Sequence, residues 1–225
     1  MSKKVCLLGT SNTLNQAPFN DKSFEFWALN DMFVTLPEGL ATRWFEFHDR
    51  KTHETHKPRG DSNISYLDWF RSATIPVYMQ EHFEDIPASI KYPLETMVEH
   101  FGRQYFKSTL DYMMALALYE GFEEIHLYGV NMADNIEYAH QRPSMEYWIG
   151  RAEGMGVKVV LPEGCDLMKG YFRYGYDEER ESDLLIKART KSAELDRQSK
   201  EFMKNYYLSL GAKDTWDFIL RELGQ

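Results

Sequence analysis

Six short apolar runs, each closed by glycine or polar residues, constrain this chain more than any other feature. They are Val5 to Leu8, Phe24 to Leu29, Trp44 to Phe47, Ile75 to Met79, Ile125 to Val130 and Val157 to Leu161. Most of the closures are explicit: Gly9 with Thr10-Ser11-Asn12-Thr13, Asn30-Asp31, His48-Asp49, Asn131, and Pro162-Glu163-Gly164. Runs this short, bounded by turn residues, read as buried strands. Helical patterns lie between them. Ser65 to Ser72 and Leu94 to Phe101 are amphipathic, and Ser108 to Tyr119 carries Tyr112, Met113, Leu116 and Ala117 at helical spacing. Ser108 or Thr109 suits an N-cap, and Gly121 closes the end. A fourth pattern, Ser144 to Glu153, starts after Pro143 and stops at Gly154-Met155-Gly156. Strands alternating with helices predict βαβ units: an α/β, Rossmann-like, mostly parallel sheet with helices on both faces. In such sheets ligands bind beyond the strand carboxyl ends, so the polar closures are the candidate site.

The chain has 225 residues, enough for one main domain and an appendage. The expected boundary falls near Tyr176. Residues 1–176 form the nucleotide-binding domain, and 177–225 form a helical extension for oligomerisation or packing. In the extension Leu185, Ala188, Leu195, Phe202, Tyr206 and Leu210 make a thin stripe, Gly211-Ala212 breaks it, and Trp216, Ile219, Leu220 and Leu223 share one face. That pattern predicts a helical hairpin, packed on the body or on a second copy, or simply a solvated helix. The net charge of −9 argues against general binding of nucleic acid or anionic membranes, because phosphate neutralisation needs Lys and Arg. Nucleic acid is left only as an acceptor. Two cysteines, Cys6 and Cys165, make no disulfide framework. With no signal-peptide core at the first residues and no stretch of 18 apolar residues, the expected location is the cytoplasm.

Four segments carry candidate chemistry. Gly9 lets the backbone of its turn approach a ligand, and Thr10 and Ser11 add hydroxyls for phosphate oxygens; the same residues also suit an ordinary turn. Ser108 and Thr109 at a helix start suit a phosphate, or simple capping. The stretch from Asn131 to Arg142 concentrates Glu137, Tyr138, His140 and Arg142. There His140 can exchange a proton near neutral pH and Arg142 can grip a phosphate. His48, Asp49, His53 and His56 could ligate a metal, but they match no zinc spacing. Arg43, Arg50, Lys51, Lys57 and Arg59 around them favour an anionic substrate, so no metal site is expected.

In the order of these pieces the chain resembles the bacterial family 42 sialyltransferases and the archaeal-type 6-hydroxymethylpterin diphosphokinases. The pieces are Gly9-Thr10-Ser11-Asn12-Thr13-Leu14 after a first strand, Asn30 ending the second, Ser108-Thr109-Leu110 opening a helix, and Gly129-Val130-Asn131 ending the next strand. The resemblance covers about Lys3 to Met168. Over its whole length the chain is similar to a set of bacteriophage proteins that share the Glu-Tyr-Ala-x-Gln-Arg-Pro stretch. Departures from the family pattern are Ser11 for the second glycine, Asn12 for the proline, Leu110 for a glycine and Asn131 for an aspartate.

The sialyltransferase resemblance implies a nucleotide held by Gly9, Thr10, Ser11 and Asn30, with Ser108 and Thr109 nearby. It implies Tyr138 on the phosphate and His140 as the base. The strand-end positions add Asp31 and Asn131 to the binding set, and Arg142 joins His140 as a catalytic candidate. Three functions follow as expectations. The first is a glycosyltransferase-like enzyme using a nucleotide-activated sugar. The second is a diphosphokinase-like transferase, which would need magnesium. The third is a non-catalytic nucleotide-binding or assembly protein that forms homo-oligomers through the helical tail.

Overall fold

A computed structural model describes residues 2–58, 64–132, 138–169, 173, 175, 176 and 183–224. The chain divides into two compact units, Met1–Lys169 and Gly170–Gln225.

The first unit is built on strands β1 (Lys4–Leu8), β2 (Phe24–Leu29), β3 (Arg43–Phe45), β4 (Val77–Met79), β5 (Ser89–Lys91), β6 (Glu124–Tyr128) and β7 (Lys158–Val160). They form one sheet in the order β5-β4-β3-β2-β1-β6-β7, every pair parallel. The Rossmann-like expectation is met. Strand β1 is flanked by β2 and β6, and its last four residues are fully buried. Burial on both faces is why these strands read as unbroken apolar runs rather than alternating ones.

Helices α1 (Arg50–Thr55), α2 (Tyr66–Ser72), α3 (Leu94–Phe101), α4 (Thr109–Tyr119) and α5 (Tyr138–Gly154) supply the layers. In α4 eight residues are buried, from Leu110 to Leu118, and the helix packs on β1, α3 and α5. A helix so enclosed can be apolar nearly all round. Buried indoles find acceptors, as they must: Trp148 Nε1 donates to the Tyr105 carbonyl at 2.8 Å and Trp44 Nε1 to the Asn30 carbonyl at 3.0 Å.

Four features depart from the sequence reading. β5 and α1 were not anticipated. α5 begins before Pro143, which lies inside it. Proline has no N–H for the Ala139 carbonyl, but Ala139 is exposed, so water can serve that oxygen. In the second unit α6 (Asp183–Glu222) runs unbroken for 40 residues, so the expected hairpin with a break at Gly211-Ala212 is corrected to a single helix. An interior glycine costs a helix only about 1 kcal/mol. Good helix formers and pairs such as Lys191–Glu194, at 2.9 Å, outweigh it.

Candidate functional site

The chain leaves β1 toward β2 on one side, while β6 pairs with β1 on the other. This is the point where strand order reverses, and the crevice beyond it is where open α/β sheets bind ligands. Its floor is two glycine turns locked together. Gly9 N donates to the Tyr128 carbonyl at 2.7 Å, Ser11 N to the Gly129 carbonyl at 2.8 Å, and Gly129 N to Thr13 Oγ1 at 3.0 Å. A Cβ on Gly9 would overlap the Gly129 carbonyl, and one on Gly129 would overlap the Gly9 carbonyl. Gly129 also has φ +71°, which disfavours any side chain.

Above this floor opens a cleft of about 810 Å³. Gly9 and Thr10 line it from β1, Asn30 from β2, and Gly129 and Asn131 from β6. Ser108 and Thr109 line it from the start of α4. Six of the sequence candidates therefore share one concavity, as do Phe47, His48, Lys107 and Gln141.

Asn30 is held in a left-handed conformation, φ +48°, by its N–H on the Phe45 carbonyl and its own carbonyl on Trp44. Its side-chain Oδ1 is buried and has no partner among the described residues, and the same is true of Asn131 Oδ1. Buried polar atoms without partners are rare and call for an explanation. Here both belong to residues of one cleft wall.

Ser108 stands at the N-cap of α4, where the Asp111 side chain reaches back to its backbone N–H. The buried Asp111 carboxylate accepts from Lys107 N at 2.6 Å, Ser108 N at 2.8 Å and Ser144 Oγ at 2.8 Å. Burial pushes its pKa up to about 6, against the pull of those three donors. This carboxyl fixes the segment that presents Lys107, Ser108 and Thr109 to the cleft. Tyr112 stacks between Phe47 at 4.3 Å and Phe106 at 4.7 Å, giving the cleft an aromatic wall.

A histidine–carboxylate pair lies at the end of β3. Glu46 is fully buried. One of its oxygens receives the His48 backbone N–H at 2.7 Å and faces His48 Nδ1 at 2.6 Å, while the other accepts the Tyr66 hydroxyl. Burial alone would raise the Glu46 pKa, but His48, His53 and Tyr66 together bring it down to about 2. The hydrogen bond to Glu46 in turn raises that of His48. The His48 side chain is about half exposed, at 48%.

The remaining candidates lie elsewhere or in other contacts. Ser11 does not line the cleft, its N–H is used on Gly129, and its hydroxyl lies 3.4 Å from Thr13 Oγ1. Asp31 is buried behind the wall, 3.6 Å from His56 Nε2. His140 is exposed on the first turn of α5 and is not among the lining residues. Arg142 donates to Glu146 at 2.9 Å and to the Asp166 carbonyl at 2.8 Å. The Tyr138 side chain and Glu137 lie outside the described residues. His53 is buried in the core, 3.7 Å from the Glu46 carboxylate that His48 also faces, while His56 turns to Asp31. No group of three or more His, Cys, Asp or Glu among the described residues is placed to hold a metal ion.

The sequence places His48 among the strand closures and weighs it as a metal candidate, but does not single out Glu46. The available signal was an acidic residue interrupting the apolar run Trp44 to Phe47. Both residues lie just beyond the end of β3, where the His48 backbone N–H and ring both reach the Glu46 carboxylate.

No protein-family model matches the chain, and no curated protein matches it by sequence. Solved structures do. The chain is similar to the sialyltransferase CstII, known from Campylobacter jejuni, in two variants in complex with CMP. One gives a TM-score of 0.51 at 14% identity, covering 72% of this chain and 82% of that chain. The other gives 0.50 at 14% identity, covering 72% and 81%. The monofunctional alpha-2,3-sialyltransferase Cst-I from Campylobacter jejuni aligns over 88% of this chain and 95% of its own, at 11% identity and a TM-score of 0.48. At such identities the likeness to the two CstII variants establishes a shared fold.

Proposed function

We propose that the chain is a nucleotide-dependent group transferase of the glycosyltransferase kind, with a nucleotide-activated sugar as donor. The observation that carries the reading is the cleft at the strand-order reversal, with Asn30 Oδ1 and Asn131 Oδ1 buried and unpartnered in its wall. Amide oxygens of this sort accept from amino or hydroxyl groups of a base or sugar. The aromatic wall of Phe47, Phe106 and Tyr112 suits the flat face of a base. Thr10, Lys107, Ser108 and Thr109 supply hydroxyls and a cation for phosphate oxygens. The shared fold with proteins crystallised with CMP makes cytidine nucleotides the first ligands to try.

In the transfer step the cleft would position donor and acceptor and stabilise the departing phosphate. His140, the base that the resemblance nominates, precedes cleft-lining Gln141 by one residue, and Tyr138 belongs to the same turn.

The test is a thermal-shift series with nucleotides and nucleotide sugars, followed by mass spectrometry for product. A ligand at 100 times its Kd adds about 2.7 kcal/mol. For a chain of this size that is roughly 5–10 °C in Tm. No shift with any nucleotide, or the same shift in an Asn30→Ala, Asn131→Ala double variant, removes the reading. A shift with no product after long incubation would leave a nucleotide-binding protein without chemistry. Magnesium-dependent consumption of ATP would favour the diphosphokinase alternative.

A further inference from the structure

The Glu46–His48 pair has the construction of an oriented base. Its carboxylate is fully buried, so it is not solvated, and it is held by two groups besides the imidazole: the His48 backbone N–H and the Tyr66 hydroxyl. The ring nitrogen facing it is Nδ1, at 2.6 Å. An ionised carboxylate can only accept, so Nδ1 carries the hydrogen and Nε2 keeps its lone pair. A carboxylate behind an imidazole fixes the tautomer and stabilises the imidazolium when a proton arrives. His48 is one of the residues lining the cleft, alongside Asn30 and Ser108.

We propose that His48, oriented by Glu46, is the proton acceptor of the transfer reaction, taking the hydrogen of the acceptor hydroxyl on Nε2. This rests on the transferase reading of the cleft. The acceptor oxygen forms its bond to the anomeric carbon as the bond from that carbon to the donor phosphate breaks. The phosphate leaves with the electron pair, and the proton on His48 passes to solvent. No carboxylate orients His140 among the described residues, whereas His48 has one. The charged and titratable groups around His48 are Glu46, Asp49 on its own segment, Asp31 after β2, His53 on α1, Tyr66 on α2, and Lys107 across the cleft. The carboxylates favour the imidazolium, and the partial burial of the ring opposes it.

The test has two readouts. Long-range proton–nitrogen NMR of the full chain reads the His48 tautomer and titration midpoint. The Nδ1–H form is expected, with a midpoint above that of His48 in the Glu46→Gln variant. An Nε2–H form, or the same midpoint in both proteins, overturns the proposal without any substrate. Steady-state kinetics of His48→Gln should show kcat down by about 10²–10⁴-fold, the usual range for loss of a general base, with the donor KM and the nucleotide thermal shift retained. Turnover within threefold of the parent overturns it as well. If the unaltered chain binds no nucleotide, it is the transferase reading that fails, and His48 as its base falls with it whatever the NMR shows.

Discussion

Substituting the paired glycines under the cleft should separate two costs that usually arrive together. In Gly129→Ala the new Cβ meets the Gly9 carbonyl and lies 3.2 Å from Leu14 Cβ, on a backbone at φ +71°. The left-handed conformation costs an alanine about 1–2 kcal/mol, and forcing atoms into filled space adds about 1–3 kcal/mol. The sum is about 2–5 kcal/mol. Gly102→Ala has nearly the same angle, φ +66°, but open space around it, so it should lose only about 1–2 kcal/mol. Gly9→Ala has the overlap without the positive angle, and should lose only about 1–3 kcal/mol. Urea unfolding of the full chain, followed by tryptophan fluorescence, measures all three. With a slope of roughly 2 kcal/mol per molar urea, the Gly129→Ala midpoint should fall by about 1–2.5 M. The Gly102→Ala midpoint should fall by about 0.5–1 M on the same slope. Equal falls for these two would refute the idea that the β1 and β6 turns press on each other.

Other expectations follow from the same geometry. Asp111, with a pKa near 6 against an ordinary 3.8, holds a proton in the folded state that the unfolded chain has released. Its contribution is therefore fully present below about pH 4 and lost as pH rises toward 6, by roughly 3 kcal/mol. The stability difference between the parent and Asp111→Asn should shift against the parent over that window, and a flat difference would contradict it. Arg43 donates to Glu25 at 3.1 Å and Glu120 at 2.6 Å and lies 4.6 Å from the Trp27 ring centroid; Arg43→Ala should lower stability by about 1–3 kcal/mol in urea unfolding. Helix α6 exposes Phe202, Tyr206, Trp216 and Phe218. If it mediates self-association, light scattering should give a mass above the 26.5 kDa chain, and a Trp216→Glu, Phe218→Glu variant should lower it. A monomeric parent would end that idea.

What the sequence revealed and what it hid have physical causes. All six of its apolar runs match a strand to within two residues at each end, and the interior ones do so because a strand buried on both faces must be apolar along most of its length. β5 stayed hidden: of Ser89, Ile90 and Lys91 only Ser89 is buried, so this edge strand leaves no apolar signature. α1 was hidden for a similar reason. It buries only His53 and is set by its cap, Asp49, which accepts from Thr52 N at 2.8 Å. The site residues that were found, such as Gly9, Asn30 and Asn131, follow directly from strand ends. Glu46, and its pairing with His48, stayed hidden because that partnership depends on the burial of Glu46, which the letters alone do not state.

The parallel pairing of β1 with β6 also governs how the chain can be made. Lys4 pairs with Glu124, about 120 residues further along. At ribosomal speeds of roughly 5–20 residues per second, one side of the first strand waits on the order of ten seconds for its neighbour. During that wait a strand apolar from Val5 to Leu8 keeps an open hydrogen-bonding edge, the kind of surface that recruits chaperones or other nascent chains. Gly9 and Gly129 close against each other only when that strand docks, so the ligand crevice is among the last parts of the sheet to exist, and a bound small molecule would act as a latch on the final step of assembly.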